Sequence, residues 1–197
     1  MLYLASRSPR RAELLRQIGL EFEIIDGAVD ESQRPGESAL QMVERLAVDK
    51  ALAGLAVFDR MPPGDHVLAA DTLIALDGEI IGKPGSLTDC ERILQILSGR
   101  QHEVLSAVAL AGTRGLIGAR VSRNQVQFAD LTGELVRRYC AGGEPLDKAG
   151  AYAIQGMAAI FIKQITGSYS AIMGLPLYET AGLLEHAGYH LMDKHDQ

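Results

Sequence analysis

The feature that most restricts the fold is the alternation of short apolar runs, typical of strands, with segments of helical periodicity. Residues 2–5 predict a buried strand, and Ser8 and Pro9 then open a helix that Gly19 ends. Residues 22–25 predict a second strand, and residues 37–57 a longer helix. Such alternation favours an α/β or a mixed α+β fold.

The same reading continues to the end of the chain. Asp77-Gly78 is typical of a two-residue hairpin turn, here joining a strand over 67–76 to one over 79–81. A capping box beginning at Thr88 predicts a third helix. The remaining predicted elements are strands over 104–111, 117–128 and 159–165, helices over 132–139 and 177–187, and a loop over 167–174. Residues 144–156 stay unassigned, and the charged tail from Asp193 is expected to fray.

Length and charge limit the classes of function. With 197 residues, the chain predicts one domain, or a two-lobed unit that shares one core. A net charge of −6 argues against broad nucleic-acid binding, which needs a basic surface, but not against one anionic ligand in a local basic pocket. No apolar stretch approaches the roughly 20 residues of a membrane span, and the first residues turn polar too early for a signal peptide.

Cysteine usage suggests a compartment. Cys90 and Cys140 are the only cysteines, and they are far apart in sequence. We therefore expect neither a disulfide framework nor a cysteine-rich zinc site, and a reducing cytoplasm fits.

The segment Ser6-Arg7-Ser8-Pro9-Arg10-Arg11 joins the first strand to the first helix. Free backbone N–H groups and the positive end of the helix dipole attract anions at such a junction. Arginines are unfavourable at a helix N-terminus unless an anion is bound there, and their forked donors suit phosphate oxygens. The segment favours a phosphate site over an exposed basic helix start.

Asp71 lies inside an apolar strand, between Ala70 and Thr72. A buried carboxylate needs a cation, a metal or several donors, and it suits a general base or a metal ligand. A structural aspartate that caps a neighbouring loop is an equally good interpretation. Lys83 follows in Gly82-Lys83-Pro84, which lacks P-loop spacing and carries proline where a magnesium-binding hydroxyl is needed. It either reaches the cleft of Asp71 or is a solvated surface lysine.

Three further side chains are weaker candidates. Lys50 lies in mid-helix, where a lysine is usually only solvated. Lys148 precedes a run of small residues that allows close approach of a ligand. Gln155 is suited to the edge of a planar base, or is an ordinary loop amide.

Other site types are not supported. The five histidines show no paired zinc spacing, the nucleophile elbow GxSxG is absent, and no GxGxxG follows the first strand. These patterns argue against a zinc enzyme, an α/β-hydrolase and a Rossmann dinucleotide site.

Taken together, the segments resemble the Maf family of nucleoside triphosphate pyrophosphatases, nearly from end to end. The matching segments are 4–11, 29–31, 45–51, 70–72, 82–84, 98–102, 147–156, 167–169 and 174–177. Each is weak alone, and their joint order and spacing is specific.

The resemblance implies hydrolysis of a nucleoside triphosphate to a monophosphate and pyrophosphate with a divalent metal, Mg²⁺ or Mn²⁺. It also implies a cytoplasmic homodimer and a mixed α/β sheet with flanking helices, two-lobed and similar to inosine triphosphate pyrophosphatases. By position, Asp71 matches the general base, and Lys83, Lys50 and Glu31 match polar residues of the catalytic cleft. Ser6 and Arg11 match the phosphate-binding loop. On this basis, Glu31 and Asp71 are expected on the metal side, and Lys148 among the substrate-binding cations.

The subfamily is suggested by Arg10, Thr72 and Gln155, which resemble the branch acting on dTTP and UTP. The branch acting on 7-methyl-GTP has, by resemblance, Trp, Gln and Glu at these positions. A neutral Gln amide both donates and accepts, which suits the imide edge of uracil or thymine. Alternatives are the 7-methyl-GTP branch, a nucleotidyltransferase, and a non-catalytic nucleotide-binding regulator of cell division.

Overall fold

A seven-stranded mixed sheet forms the centre of this computed structural model, which describes residues 1–192. The strands are β1 (Leu2–Leu4), β2 (Glu23–Ile24), β3 (His66–Leu76), β4 (Glu79–Ile81), β5 (Gln101–Gly112), β6 (Gly115–Phe128) and β7 (Ile162–Thr166). The strand order is β2-β1-β3-β5-β6-β7, and β4 pairs with β3. β1 runs parallel to β2 and β3, whereas every other pairing is antiparallel. The predicted mixed α/β sheet with flanking helices is confirmed.

Six α-helices flank the sheet within the described residues. They are α1 (Pro9–Gln17), α2 (Ala39–Leu55), α3 (Leu87–Leu97), α4 (Gly133–Ala141), α5 (Tyr169–Met173) and α6 (Leu177–His186). Two short 3-10 helices, Ala149–Ala151 and Met157–Phe161, lie between α4 and β7. No helix of residues 1–192 is both long enough and apolar enough to span a bilayer.

Three buried clusters hold these layers together. Helix α2 covers one face of the sheet, where Val43 and Ala47 pack with Ala69 and Ala107. Helices α1 and α6 contribute to a second cluster, which includes Leu68 and Leu110 of the sheet, and helices α3 and α4 to a third. Alternate residues of β3 therefore belong to different clusters, as the two-residue period of a strand requires.

One edge of β3 is open in the middle. β1 pairs with this edge over 66–68, and β4 pairs with it over 74–76. Within residues 1–192, no strand pairs with 69–73 on this edge, although β5 continues along the other one. The sheet is thus split beside Asp71 and Thr72.

Three local predictions are wrong. The N-cap of α3 is Ser86, whose Oγ accepts from the backbone N–H of Asp89, so the capping box proposed at Thr88 lies two residues too late. Residues 167–174 include helix α5 instead of forming only a loop, because Ser168 caps it. β7 begins at Ile162, after a 3-10 helix over the first part of the predicted strand. The tail from Asp193 lies outside the described residues.

The two cysteines form a disulfide, Cys90–Cys140, contrary to the sequence expectation. They are 50 residues apart in sequence, yet α3 and α4 pack against each other and bring their Cα atoms to 6.1 Å. Sequence separation was therefore a poor guide to their distance.

Candidate active site

A cavity of about 700 Å³ lies beside the open edge of β3. All ten residues singled out from the sequence line it: Ser6, Arg10, Arg11, Glu31, Lys50, Asp71, Thr72, Lys83, Lys148 and Gln155. They come from segments spread over most of the chain. The split sheet lets groups from both of its faces reach one space, because Asp71 and Thr72 are adjacent on a strand and point to opposite faces.

The charge of the lining is opposite to that of the chain. Six cationic side chains and four carboxylates line the cavity, a net charge of +2 on a chain whose net charge is −6. Arg10 and Lys83 take part in no ion pair among residues 1–192. These two cations are available to an anion, and the lining suits a polyanionic ligand.

The turn between β1 and α1 is organised by Ser6. Its Oγ accepts from the backbone N–H of Ser8 at 3.2 Å and from Nη1 of Arg11 at 3.1 Å. Nε of Arg11 donates to the carbonyl oxygen of Gly174 at 2.9 Å. Burial lowers the pKa of the Arg11 guanidinium, and the nearby Asp71 carboxylate opposes that shift. The first turn of α1 thus presents a fixed cation beside its backbone N–H groups.

Lys50 joins the two candidate acids. Its Nζ lies 2.6 Å from Oδ1 of Asp71 and 2.5 Å from Oε1 of Glu31. Lys50 follows Met42 and Leu46 along one face of α2, at successive four-residue steps, and all three line the cavity. The side chain of Lys50 is only 11% exposed, so it is not a solvated lysine. The hydrogen bond from Lys50 lowers the pKa of Glu31.

The loop that carries Glu31 is anchored by Arg45, which sequence reasoning did not select. Nη2 of Arg45 donates to the carbonyl oxygen of Ser32 at 3.0 Å. Its guanidinium also binds both carboxylate oxygens of Glu37, at 2.6 and 2.8 Å, and lowers the pKa of Glu37 to about 2. Arg45 lies in one of the segments that carry the family resemblance, and that position was the available signal.

The unassigned segment 144–156 forms the wall that carries Lys148 and Gln155. Nζ of Lys148 donates to the backbone oxygen of Glu144 and to the carboxylate of Asp147, both at 2.5 Å. The carboxylate of Glu144 accepts from the hydroxyl of Tyr139 at 2.8 Å and from the N–H of Met157 at 3.2 Å. These contacts hold the segment in place, and the exposed Gln155 lies on it among the residues that line the cavity.

Two more side chains that the sequence did not single out, Ser106 and Tyr152, lie at the cavity or contact its lining. Ser106 of β5 is fully buried and contacts the hydroxyl of Thr72 at 2.9 Å. Tyr152 lines the cavity, and its hydroxyl lies 2.9 Å from Nε2 of the buried His102. A serine within an apolar strand gives no sequence signal by itself, because its role depends on the register that sets it opposite Thr72.

The acids suit a divalent cation only if the ligand supplies further oxygens. Among residues 1–192, no group of three or more His, Cys, Asp or Glu side chains could hold a metal. Glu31 and Asp71 nevertheless contact the same ammonium atom, so they lie close enough to share one cation. Magnesium commonly binds one or two carboxylates, several waters and substrate phosphates. The pair fits that arrangement.

Known proteins match this chain over nearly its whole length. A family model described as Maf-like protein matches residues 1–187. The dTTP/UTP pyrophosphatase of Aromatoleum aromaticum is 53% identical, over 96% of this chain and 97% of that protein. Those of Chromobacterium violaceum and Escherichia coli O157:H7 are each 48% identical, over at least 96% of both chains. A solved dITP/XTP pyrophosphatase from Mycobacterium abscessus is 18% identical with a TM-score of 0.45, over 94% of each chain.

Proposed function

Since the chain belongs to the Maf family, we propose that it hydrolyses dTTP and UTP to the monophosphate and pyrophosphate. The observation that carries this proposal is the gathering of Arg11, Lys83 and Asp71 around one cavity. A triphosphate has the charge that such a lining accommodates, and an acid beside it can activate water.

In the proposed reaction, water adds to a phosphorus beside the oxygen that bridges the α- and β-phosphates, and the bond between that phosphorus and the bridging oxygen breaks. Asp71 orients the water and takes its proton. Lys50 offsets the buried charge of Asp71 and holds its carboxylate in place. Lys83, Arg10 and Arg11 bind phosphate oxygens as negative charge builds there, and Ser6 donates its hydroxyl to one of them.

For the metal, we propose that Glu31 and Asp71 hold Mg²⁺ or Mn²⁺ together with phosphate oxygens and water. A bound divalent cation would supply charge neutralisation at the phosphate oxygens. Because a carboxylate has two oxygens, Asp71 would share the metal through one of them and keep the other for the attacking water. Lys50 contacts both acids, so its ammonium would shift when the cation binds.

For the nucleoside, we propose that Arg10, Thr72 and Gln155 select dTTP and UTP, while Lys148 adds to the positive charge that offsets the triphosphate. The relatives named dTTP/UTP pyrophosphatase support this choice over 7-methyl-GTP. A Gln amide pairs with the donor and acceptors of an imide edge, whereas a Glu would suit a cationic base.

We also propose a single two-lobed domain with the cleft between its lobes, assembled as a cytoplasmic homodimer. The nucleotide substrate favours the cytoplasm. The Cys90–Cys140 disulfide would be unusual in the cytoplasm, because such bridges are rare in a reducing compartment.

A panel of nucleoside triphosphates with a pyrophosphate readout tests the proposed function. We expect pyrophosphate and the monophosphate from dTTP and UTP, with slower release from purine nucleotides and from 7-methyl-GTP. Binding of dTTP without turnover would instead indicate a nucleotide-binding regulator. Preference for 7-methyl-GTP would assign the other branch of the family.

A further inference from the structure

The hydroxyls of Ser6 and Thr72 face the same cavity with opposite hydrogen-bond polarity. Oγ of Ser6 accepts from Ser8 and from Arg11. Those two bonds occupy both of its lone pairs, so its own hydrogen remains available to an acceptor in the cavity. A phosphate oxygen is such an acceptor, which agrees with the cationic surroundings of Ser6.

Thr72 is in the reverse situation because of Ser106. The Ser106 hydroxyl donates its single hydrogen to the carbonyl oxygen of Ala171 at 2.6 Å. The contact of 2.9 Å between the Ser106 and Thr72 hydroxyls therefore requires Thr72 to be the donor. With its hydrogen used in this way, the oxygen of Thr72 offers only lone pairs to the cavity.

We propose that Ser106 is a positioning residue that fixes the Thr72 hydroxyl as an acceptor, so that Thr72 selects a nucleoside carrying an N–H or O–H donor. This inference rests on the proposed function and extends it. A phosphate oxygen cannot satisfy an acceptor, so Thr72 does not bind the triphosphate. The two hydroxyls thus offer opposite hydrogen-bond polarity to a ligand in the same cavity.

The surroundings of Ser106 keep this arrangement rigid. Ser106 is fully buried and lies opposite Thr72 in the β3–β5 register. Its acceptor, Ala171, belongs to α5 and is also fully buried. The alternative acceptor for Thr72, the carbonyl oxygen of Gly174, is 3.4 Å away and already accepts from Arg11 at 2.9 Å. Without Ser106, only this longer bond would orient the Thr72 hydroxyl.

Two donors are common to dTTP and UTP: the imide N3–H of the base and the 3′-hydroxyl of the sugar. In cytosine, N3 carries no hydrogen. CTP therefore lacks the first donor, although it is no larger than UTP. 3′-Deoxy-UTP lacks the second donor. A fixed acceptor at Thr72 disfavours the nucleotide that lacks the donor it meets, because the acceptor is then left unpaired.

The experiment compares kcat/KM for UTP, CTP and 3′-deoxy-UTP in the wild type, in Ser106→Ala and in Thr72→Val. In Ser106→Ala the Thr72 hydroxyl can rotate and donate, so we expect one preference for UTP to fall about tenfold, the effect of one hydrogen bond. A fall in the UTP-to-CTP ratio assigns the imide as the donor, and a fall in the UTP-to-3′-deoxy-UTP ratio assigns the sugar hydroxyl. General damage to packing would lower the rates for all three nucleotides alike.

Matched variants isolate the effect. Ser122→Ala removes the buried serine that faces Ser106 on β6 and should leave both ratios unchanged. In Thr72→Val, the additional change Ser106→Ala should have no further effect on either ratio, since Ser106 acts only through Thr72. If Ser106→Ala does not fold, Ser106→Cys, a weaker donor and acceptor, should give a smaller fall in the same ratio.

Failure of this inference and failure of the proposed function would give different results. If the wild type turns over UTP and both ratios are unchanged in Ser106→Ala, the role of Ser106 is rejected and the proposed function stands. If the wild type turns over no nucleotide, the proposed function is rejected, and this inference with it.

Discussion

Nζ of Lys50 lies 2.6 Å from Oδ1 of Asp71, and the two side chains are only 11% and 9% exposed. Removing two charges from water costs more free energy than such a pair reliably returns, so a buried pair is weak evidence for stability. Its position at the open edge of β3, in a cavity whose lining has a net positive charge, suits the pair to the proposed reaction.

Asp71→Asn should reduce pyrophosphate release from dTTP by about 100-fold or more, because a positioned general base typically contributes 10²–10⁴ in rate. The amide has the size of the carboxylate, and Lys50 keeps Glu31 as a partner, so the fold should persist. Circular dichroism tests whether the fold persists, and a steady-state pyrophosphate assay measures the rate. Asp77→Asn, at the exposed hairpin turn that ends the same strand, is the matched control and should retain activity. Wild-type rates in Asp71→Asn would remove Asp71 from the reaction.

Gln155→Glu should lower kcat/KM for dTTP and UTP about tenfold while affecting other nucleotides less. A carboxylate cannot donate to the carbonyl oxygens of an imide edge, so one hydrogen bond is lost. Gln164→Glu adds the same charge on the exposed side of β7 and serves as the control. Equal losses for every nucleotide would show that Gln155 does not recognise the base.

EDTA should abolish turnover, and Mg²⁺ or Mn²⁺ should restore it. Glu31 and Asp71 supply two carboxylates, and in the described part of the chain no third acid, His or Cys joins them. We therefore expect weak metal binding in the absence of nucleotide, measured by isothermal titration, and tighter binding with a non-hydrolysable triphosphate. Activity that persists in EDTA after dialysis would contradict the role of the metal.

How far the sequence predicts this structure depends on the range of the interaction. Local chemistry was sufficient for the β3–β4 hairpin, where Asp77 and Gly78 both have positive φ angles. It was also sufficient for the start of α1 at Ser8 and Pro9. The N-cap of α3 was misplaced by two residues although its contact, between Ser86 and Asp89, is local. The prediction for 167–174 failed where a distant contact decides. Helix α5 is only five residues long, and its cap Ser168 donates its N–H to Asn124 of β6.

The candidate site shows the same division. Single residues such as Asp71 and Lys83 stood out by their neighbours in sequence. The family resemblance added Glu31 and favoured Lys50, which had been only a weak candidate. Ser106 and Arg45 were not found, because each acts on another side chain through tertiary contacts. The sequence neighbours of Ser106 do not reveal the register that sets it opposite Thr72. Those of Arg45 do not reveal its contact with the loop at Ser32.

Reduction of the Cys90–Cys140 disulfide should lower the free energy of unfolding by about 4 kcal/mol, the chain-entropy value for a separation of 50 residues. Denaturant unfolding with and without dithiothreitol measures this change. The double variant Cys90→Ala/Cys140→Ala should be insensitive to dithiothreitol. Identical unfolding of the oxidised and reduced wild type would mean that the two cysteines are not bridged in solution.

The stability of the protein should fall as the pH falls from about 6.5 to about 4, because of His102. Burial lowers the pKa of this imidazole to about 4, and within residues 1–192 its Nδ1 has no hydrogen-bond partner. In the unfolded chain the pKa returns to about 6.5, so between these two values the unfolded state binds a proton that the folded state excludes. The free energy of unfolding is therefore unaffected by His102 above pH 6.5, and it is lower by about 3 kcal/mol at pH 4. Thermal unfolding of the wild type and His102→Gln at pH 7.5, 6, 5 and 4 measures it, with the exposed His186→Gln as control. A His102→Gln variant that loses as much stability as the wild type over this range would assign the pH dependence to other groups.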